Sequence, residues 1–167
     1  MIVTLGFDSA SFARLEPLRE RYFPPERNFI PVHVTLFQQL PDIALPRLLT
    51  DLAMEASKTP ALDFTATGIR DFGGGAAVEV DCPPAQGLQA RLRRAWGDIL
   101  TRSDDRGRHL HVTVQNKVDR ETARAAQAEM RAGFSPWKGR FDRLLLWYYR
   151  GGPWERAGTF PFTDGKR

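Results

Sequence analysis

One short pattern occurs twice in this chain and limits its fold more than any other feature. Pro31-Val32-His33-Val34-Thr35-Leu36-Phe37 and His109-Leu110-His111-Val112-Thr113-Val114-Gln115 share the run His-Val-Thr-aliphatic. The chain has three histidines, and two of them open these tetrapeptides. Both runs are rich in β-branched and aliphatic residues, so each is predicted to be a strand. Side chains alternate faces along a strand. Val32, Val34 and Leu36 therefore share a core face, as do Leu110, Val112 and Val114. His33, Thr35 and Phe37 share the opposite face of the first strand, and His111, Thr113, Gln115 and Lys117 that of the second.

A His and a hydroxyl two residues apart lie roughly 6.5–7 Å apart along a strand, within reach of one phosphate-sized group. His33 and His111 are thus the candidate catalytic residues. Thr35, Thr113, Phe37, Gln115 and Lys117 are the candidate substrate-binding residues. Gln39 extends the first of these faces, and Gln38 joins it only if the strand bulges. An aromatic side chain in a cleft between the strands can stack on a base. Trp147 and Tyr149 are further candidates for that role, although core packing accounts for most of their strand.

The rest of the chain alternates in an ordered way. Residues 2–7 read as a strand, and Phe12, Leu15, Leu18 and Tyr22 mark a helix that Pro24-Pro25 end. The first motif strand stops at Pro41. Leu45, Leu48, Leu49, Leu52 and Ala56 make a second helix. Leu62, Phe64 and Ala66 begin a strand, Gly73-Gly74-Gly75 a hairpin loop, and residues 76–80 the returning strand. Leu88, Leu92, Ala95, Ile99 and Leu100 make a third helix, with Arg91, Arg93, Arg94 and Arg102 on a solvated face. Residues 103–108 read as a polar loop before the second motif strand, which ends near Lys117. Asp119 caps a fourth helix running to about Ala132. Residues 141–149 form a strand, Gly151-Gly152-Pro153 a turn, and residues 156–162 a last strand.

Each motif strand thus follows one helix and precedes another, the pattern of a duplicated unit. The predicted fold is α+β: one domain over residues 1–167, built of two pseudo-symmetric lobes that share a catalytic cleft. A content of 42% apolar and 26% charged residues supports a core and excludes disorder. The single cysteine, Cys82, excludes an internal disulfide framework and fits a cytoplasmic setting. The first residues lack the basic and apolar regions of a signal peptide, and no window reads as a membrane span. A net charge of +4 suits an anionic ligand without demanding a long nucleic acid.

His33-Val34-Thr35-Leu36 and His111-Val112-Thr113-Val114 resemble the paired His-x-Thr-x signature of the 2H phosphoesterases, which include the bacterial 2′-5′ RNA ligase family. The resemblance covers nearly the whole chain. It implies an antiparallel sheet in each lobe with helices on its outer face. It also implies metal-independent hydrolysis of a 2′,3′-cyclic phosphate or 2′-5′ phosphodiester, reversible as ligation, on an RNA end or a small cyclic nucleotide. The two histidines serve as acid and base, and the threonines steady the phosphate oxygens. By analogy with members that cleave cyclic phosphates, His111 activates water and His33 protonates the leaving oxygen. No cofactor, metal or protein partner is implied, and a monomer is expected because one chain supplies both half-sites. Two rival readings remain: an RNA-binding module with vestigial chemistry, and a zinc hydrolase using His33, His109 and His111.

Overall fold

The computed structural model describes residues 1–106 and 109–164. Chain order is β1 (Ile2–Phe7), α1 (Ser9–Tyr22), β2 (Val34–Phe37), α2 (Leu45–Ala56), β3 (Leu62–Asp71), β4 (Ala76–Asp81), α3 (Pro83–Ala95), α4 (Arg102–Asp105), β5 (His111–Gln115), α5 (Arg120–Ala132), β6 (Trp137–Tyr148) and β7 (Glu155–Pro161). Short 3-10 turns occupy Pro25–Arg27 and Asp42–Ala44. Two helices start where an aspartate side chain satisfies their first amides. Asp8 accepts from Ser11 N at 2.9 Å, and Asp119 accepts from Glu121 N and Thr122 N at 2.9 Å.

All strand pairs are antiparallel, and six strands close on themselves in the order β1-β2-β5-β4-β3-β6-β1, with β7 added beside β6. The resemblance implies a separate sheet for each lobe. Hydrogen bonding joins them into one ring because β1 pairs along both its edges, with β2 and with β6, and because the two motif strands meet at Val34↔Val112. The helices cross between halves too: α1, which leads into β2, packs on β5. Leu5, Leu15, Val34, Leu36, Leu48, Leu88, Val112, Val114 and Leu144 belong to one continuous buried cluster, each almost fully shielded from water.

Element boundaries differ from expectation in three places. The third helix stops at Ala95, and Ile99 and Leu100 pack on the core from the turns that follow. The one-turn helix α4 lies in the expected polar loop; Gly107 and Arg108 of that loop are outside the described residues. β6 begins at Trp137, ahead of its apolar run, because β3 pairs with its polar first half. The glycine loop does turn the β3–β4 hairpin. Gly73 has φ +78°, Phe72 N donates to Gly75 O at 3.1 Å, and a Cβ at Gly75 would collide with the Gln115 carbonyl.

Candidate functional site

The Val34↔Val112 pair fixes the geometry of the two motifs. Both valines are fully buried, so the residues flanking them face the other way. Antiparallel register then sets His33 across from Thr113 and Thr35 across from His111, all four on one face. Directly opposed residues on neighbouring strands have Cβ atoms about 4.5–5.5 Å apart. The two tetrapeptides therefore form one cluster related by a local two-fold axis.

The burial pattern continues that symmetry. His33 and Thr35 are half-buried, Leu36 and Phe37 buried, Gln38 and Gln39 exposed; His111, Thr113, Val114, Gln115, Asn116 and Lys117 repeat this sequence. The cause is a matched pair of β-bulges. On β2, Thr35 opposes Thr4 but Phe37 opposes Val3, leaving Leu36 as the extra residue. On β5, Thr113 opposes Ala77 but Gln115 opposes Ala76, leaving Val114 as the extra residue. A bulge inverts the alternation beyond it.

The bulges correct two sequence-based expectations. Phe37 is 0% exposed and packs against Trp96 at 5.2 Å between ring centroids, so it belongs to the core and not to the cleft. Gln115 is 2% exposed, and its Oε1 has no hydrogen-bond partner among the described residues. In exchange the bulges deliver Gln38 and Asn116 to the cleft, the first foreseen only on condition of a bulge and the second missed. Trp147 is also interior, donating its Nε1–H to Thr4 Oγ1 at 2.9 Å.

A cavity of about 650 Å³ opens on this face. His33, Thr35, Gln38, Gln39, Thr113, Asn116 and Lys117 are in its wall. So are Arg19, Arg27 and the aromatic residues Phe23, Phe29, Tyr149 and Trp154. Lys117 adopts φ +62°, a left-handed turn that ends β5 just past its bulge. Asp104 of α4 shapes the other strand end, accepting from Gln38 N at 3.1 Å and Gln39 N at 2.8 Å. Gln89 of α3 donates to Leu36 O at 2.9 Å and secures the first bulge from behind.

Both histidines are held in the same way. His33 Nδ1 lies 2.8 Å from Pro31 O, and His111 Nδ1 lies 2.8 Å from His109 O. A carbonyl oxygen only accepts, so each Nδ1 carries the hydrogen. Each Nε2 is therefore the nitrogen that gains or loses a proton. An aromatic ring steadies each imidazole: Trp154 at 5.1 Å from His33 and Phe72 at 4.9 Å from His111. Burial lowers the His33 pKa from its usual 6.5 to about 4, with the hydrogen bond to Pro31 opposing and the charges of Arg19 and His111 assisting. His109 is exposed and serves through its carbonyl. Among the described residues, no three His, Cys, Asp or Glu side chains gather as a set of metal ligands. No helix among them is long and apolar enough to cross a membrane.

Comparison with known proteins places this fold. The model of the 2′-5′ RNA ligase superfamily matches residues 7–153. The crystal structure of TT0787 from Thermus thermophilus superposes with a TM-score of 0.65 at 15% identity, covering 99% of this chain and 100% of that one. E. coli LigT complexed with 3′-AMP gives 0.61 at 16% identity, over 98% and 97% of the two chains. The apo form of E. coli LigT gives 0.56 at 16% identity, over 98% and 96%. At these identities the likeness concerns the fold. No curated protein matches the sequence.

Proposed function

This chain belongs to the 2′-5′ RNA ligase superfamily of 2H phosphoesterases, and from that premise we propose that it is a metal-independent phosphodiesterase. Its substrate is a 2′,3′-cyclic phosphate or a 2′-5′ linkage, carried on an RNA end or a small nucleotide, and the same site can run the reverse ligation. One observation carries this reading: His33, Thr35, His111 and Thr113 share one face at the single β2–β5 junction, with both Nδ1 atoms pinned to carbonyls.

In this mechanism the phosphate lies over the junction. His33 Nε2 takes a proton from water, and the water oxygen bonds to phosphorus. The bond from phosphorus to the leaving sugar oxygen breaks, and His111 Nε2–H gives that oxygen its proton. Its lowered pKa leaves His33 unprotonated at neutral pH and so available to accept a proton, the reverse of the assignment made by analogy from sequence. Thr35 and Thr113 donate to the non-bridging oxygens, where charge builds. Lys117 and Arg27 add positive charge, and the cavity wall contains no carboxylate among the described residues. Phe29 and Tyr149 are both large, exposed and in the wall, which suits a nucleobase stacked beside the phosphate. A structural relative crystallised with 3′-AMP supports a nucleotide as the ligand class. We read residues 1–167 as one cytoplasmic, monomeric domain whose two halves each contribute a His-x-Thr unit.

The test is a panel of 2′,3′-cyclic nucleotides and 2′-5′-linked dinucleotides, assayed with and without EDTA. Turnover of at least one of them, unchanged by the chelator, is the expected result. Activity that disappears with EDTA and returns with zinc sinks the metal-free mechanism and revives the three-histidine zinc site.

A further inference from the structure

The two half-sites are close copies, yet acid–base catalysis needs them to differ. One difference between them, among the described residues, is a buried arginine. Arg19 lies on the last turns of α1, is only 4% exposed, and is in the wall of the cavity. Its Nε donates to Asn28 Oδ1 at 2.8 Å and to Ile30 O at 3.1 Å, in the segment that leads into His33. Its Nη1 donates to Thr113 O at 2.7 Å, inside the second tetrapeptide. One planar guanidinium thus ties the approach to one motif to the backbone of the other. Phe23 stacks on it at 4.0 Å. The tie sits where the ring needs it, since β2 and β5 are in register at Val34↔Val112.

The position of α3 in the second half corresponds to that of α1 in the first. There Gln89, also buried, donates to Leu36 O across the junction. Both helices therefore reach across to the opposite motif strand, but one does so with a cation and the other with a neutral amide. Burial lowers the pKa of Arg19 from 12.5 to about 10, against the raising effect of Glu16, so it remains charged at neutral pH. Other charged or titratable groups around His33 are Glu16 on α1, Arg27 after it, His111 and Lys117 on and beyond β5, and Tyr149 after β6. Glu16 accepts from Val32 N at 2.7 Å. On the other half-site, the register sets Glu79 of β4 across from His111.

We propose that Arg19 is a positioning residue that fixes the separation of the two half-sites and, by its buried charge in the same cavity wall, adds to the burial that keeps His33 the unprotonated member of the pair. The proposal rests on the paired-histidine reading and says which way that pair works. A guanidinium can reach the two carbonyls in different directions at once, whereas an ammonium on a flexible stem is a point charge. Arg19→Lys therefore keeps the charge and loses the tie, and Arg19→Gln keeps a planar donor and loses the charge.

The experiment measures kcat and KM against pH for both variants, and follows the ring protons of the three histidines by NMR titration without substrate. Thermal unfolding confirms that each variant folds. Arg19→Lys is expected to lose about tenfold or more in kcat with little change in KM, as misplacement of reacting groups does. The His33 titration should stay put in Arg19→Lys and rise by about one pH unit in Arg19→Gln, carrying the acidic limb of kcat/KM with it. A purely structural arginine would lower activity in both variants without moving that titration, which overturns the proposal. So does an Arg19→Lys protein that changes only KM. If Arg19→Gln does not fold, the kcat–KM split of Arg19→Lys still decides the positioning role. Because the NMR titration needs no turnover, it fails or succeeds separately from the phosphodiesterase reading, which is tested by the substrate panel and by loss of activity in His33→Ala and His111→Ala.

Discussion

His33 combines a hydrogen-bonded Nδ1, a tilted tryptophan ring beside it and a burial that disfavours its charged form. That combination has a consequence for stability. The unfolded chain binds a proton at the usual imidazole pKa near 6.5, the folded chain only near 4. Between these values the unfolded state holds more protons, so stability falls as pH falls from about 6.5 to 4 and the His33 contribution levels off below that. The full shift corresponds to at most about 3–4 kcal/mol, because each pKa unit is worth roughly 1.36 kcal/mol. His33→Gln should flatten the pH dependence of the urea midpoint across this window. An unchanged slope in that variant would show that His33 titrates normally. The shared face of the motif residues was legible in the sequence here, because a repeated His-x-Thr unit on a strand sets its His and Thr on one side. The carbonyl partners at Pro31 and His109 were not, since each depends on how the backbone bends before its strand.

The motif strands show where simple alternation fails. Period-2 patterning placed His33, Thr35, His111 and Thr113 on the correct face, and it misplaced Phe37 and Gln115 because each strand gains one residue after its threonine. Nothing in Leu36 or Val114 announces a bulge; the extra residue is set by β1 and β4, far away in sequence. The same symmetry that misled the parity yields a prediction. Phe37 fills its position with apolar surface against Trp96, while Gln115 buries an oxygen that no described residue satisfies. An unsatisfied buried polar group costs about 1–3 kcal/mol. Gln115→Met, similar in shape and without that oxygen, should raise the urea midpoint by an amount equivalent to about 1 kcal/mol and leave kcat intact. A lower midpoint would mean that Gln115 has a stabilising partner, and a loss of kcat would mean that it reaches the substrate.

At the scale of the molecule, the element order read from sequence was largely correct, and the closure of the strands into one ring was not readable. β1 and β6 lie at opposite ends of the chain, and local patterning cannot report that they pair from Ile2↔Trp147 to Phe7↔Phe141. The ring matters for the proposed function because it makes the two motif strands neighbours, which is what would let a duplicated sequence act as one site with two unlike histidines. That claim is tested most directly by leaving-group rescue. His33→Ala and His111→Ala are assayed on a 2′,3′-cyclic nucleotide and on a nucleotide phosphodiester with a nitrophenyl leaving group, which needs no proton to depart. Each variant should lose roughly 10²–10⁴-fold on the cyclic substrate, the usual worth of a general acid or base. His111→Ala should recover most of its rate on the nitrophenyl ester and His33→Ala should not. Near wild-type rates for either variant on the cyclic substrate, or rescue of His33→Ala in place of His111→Ala, would contradict it.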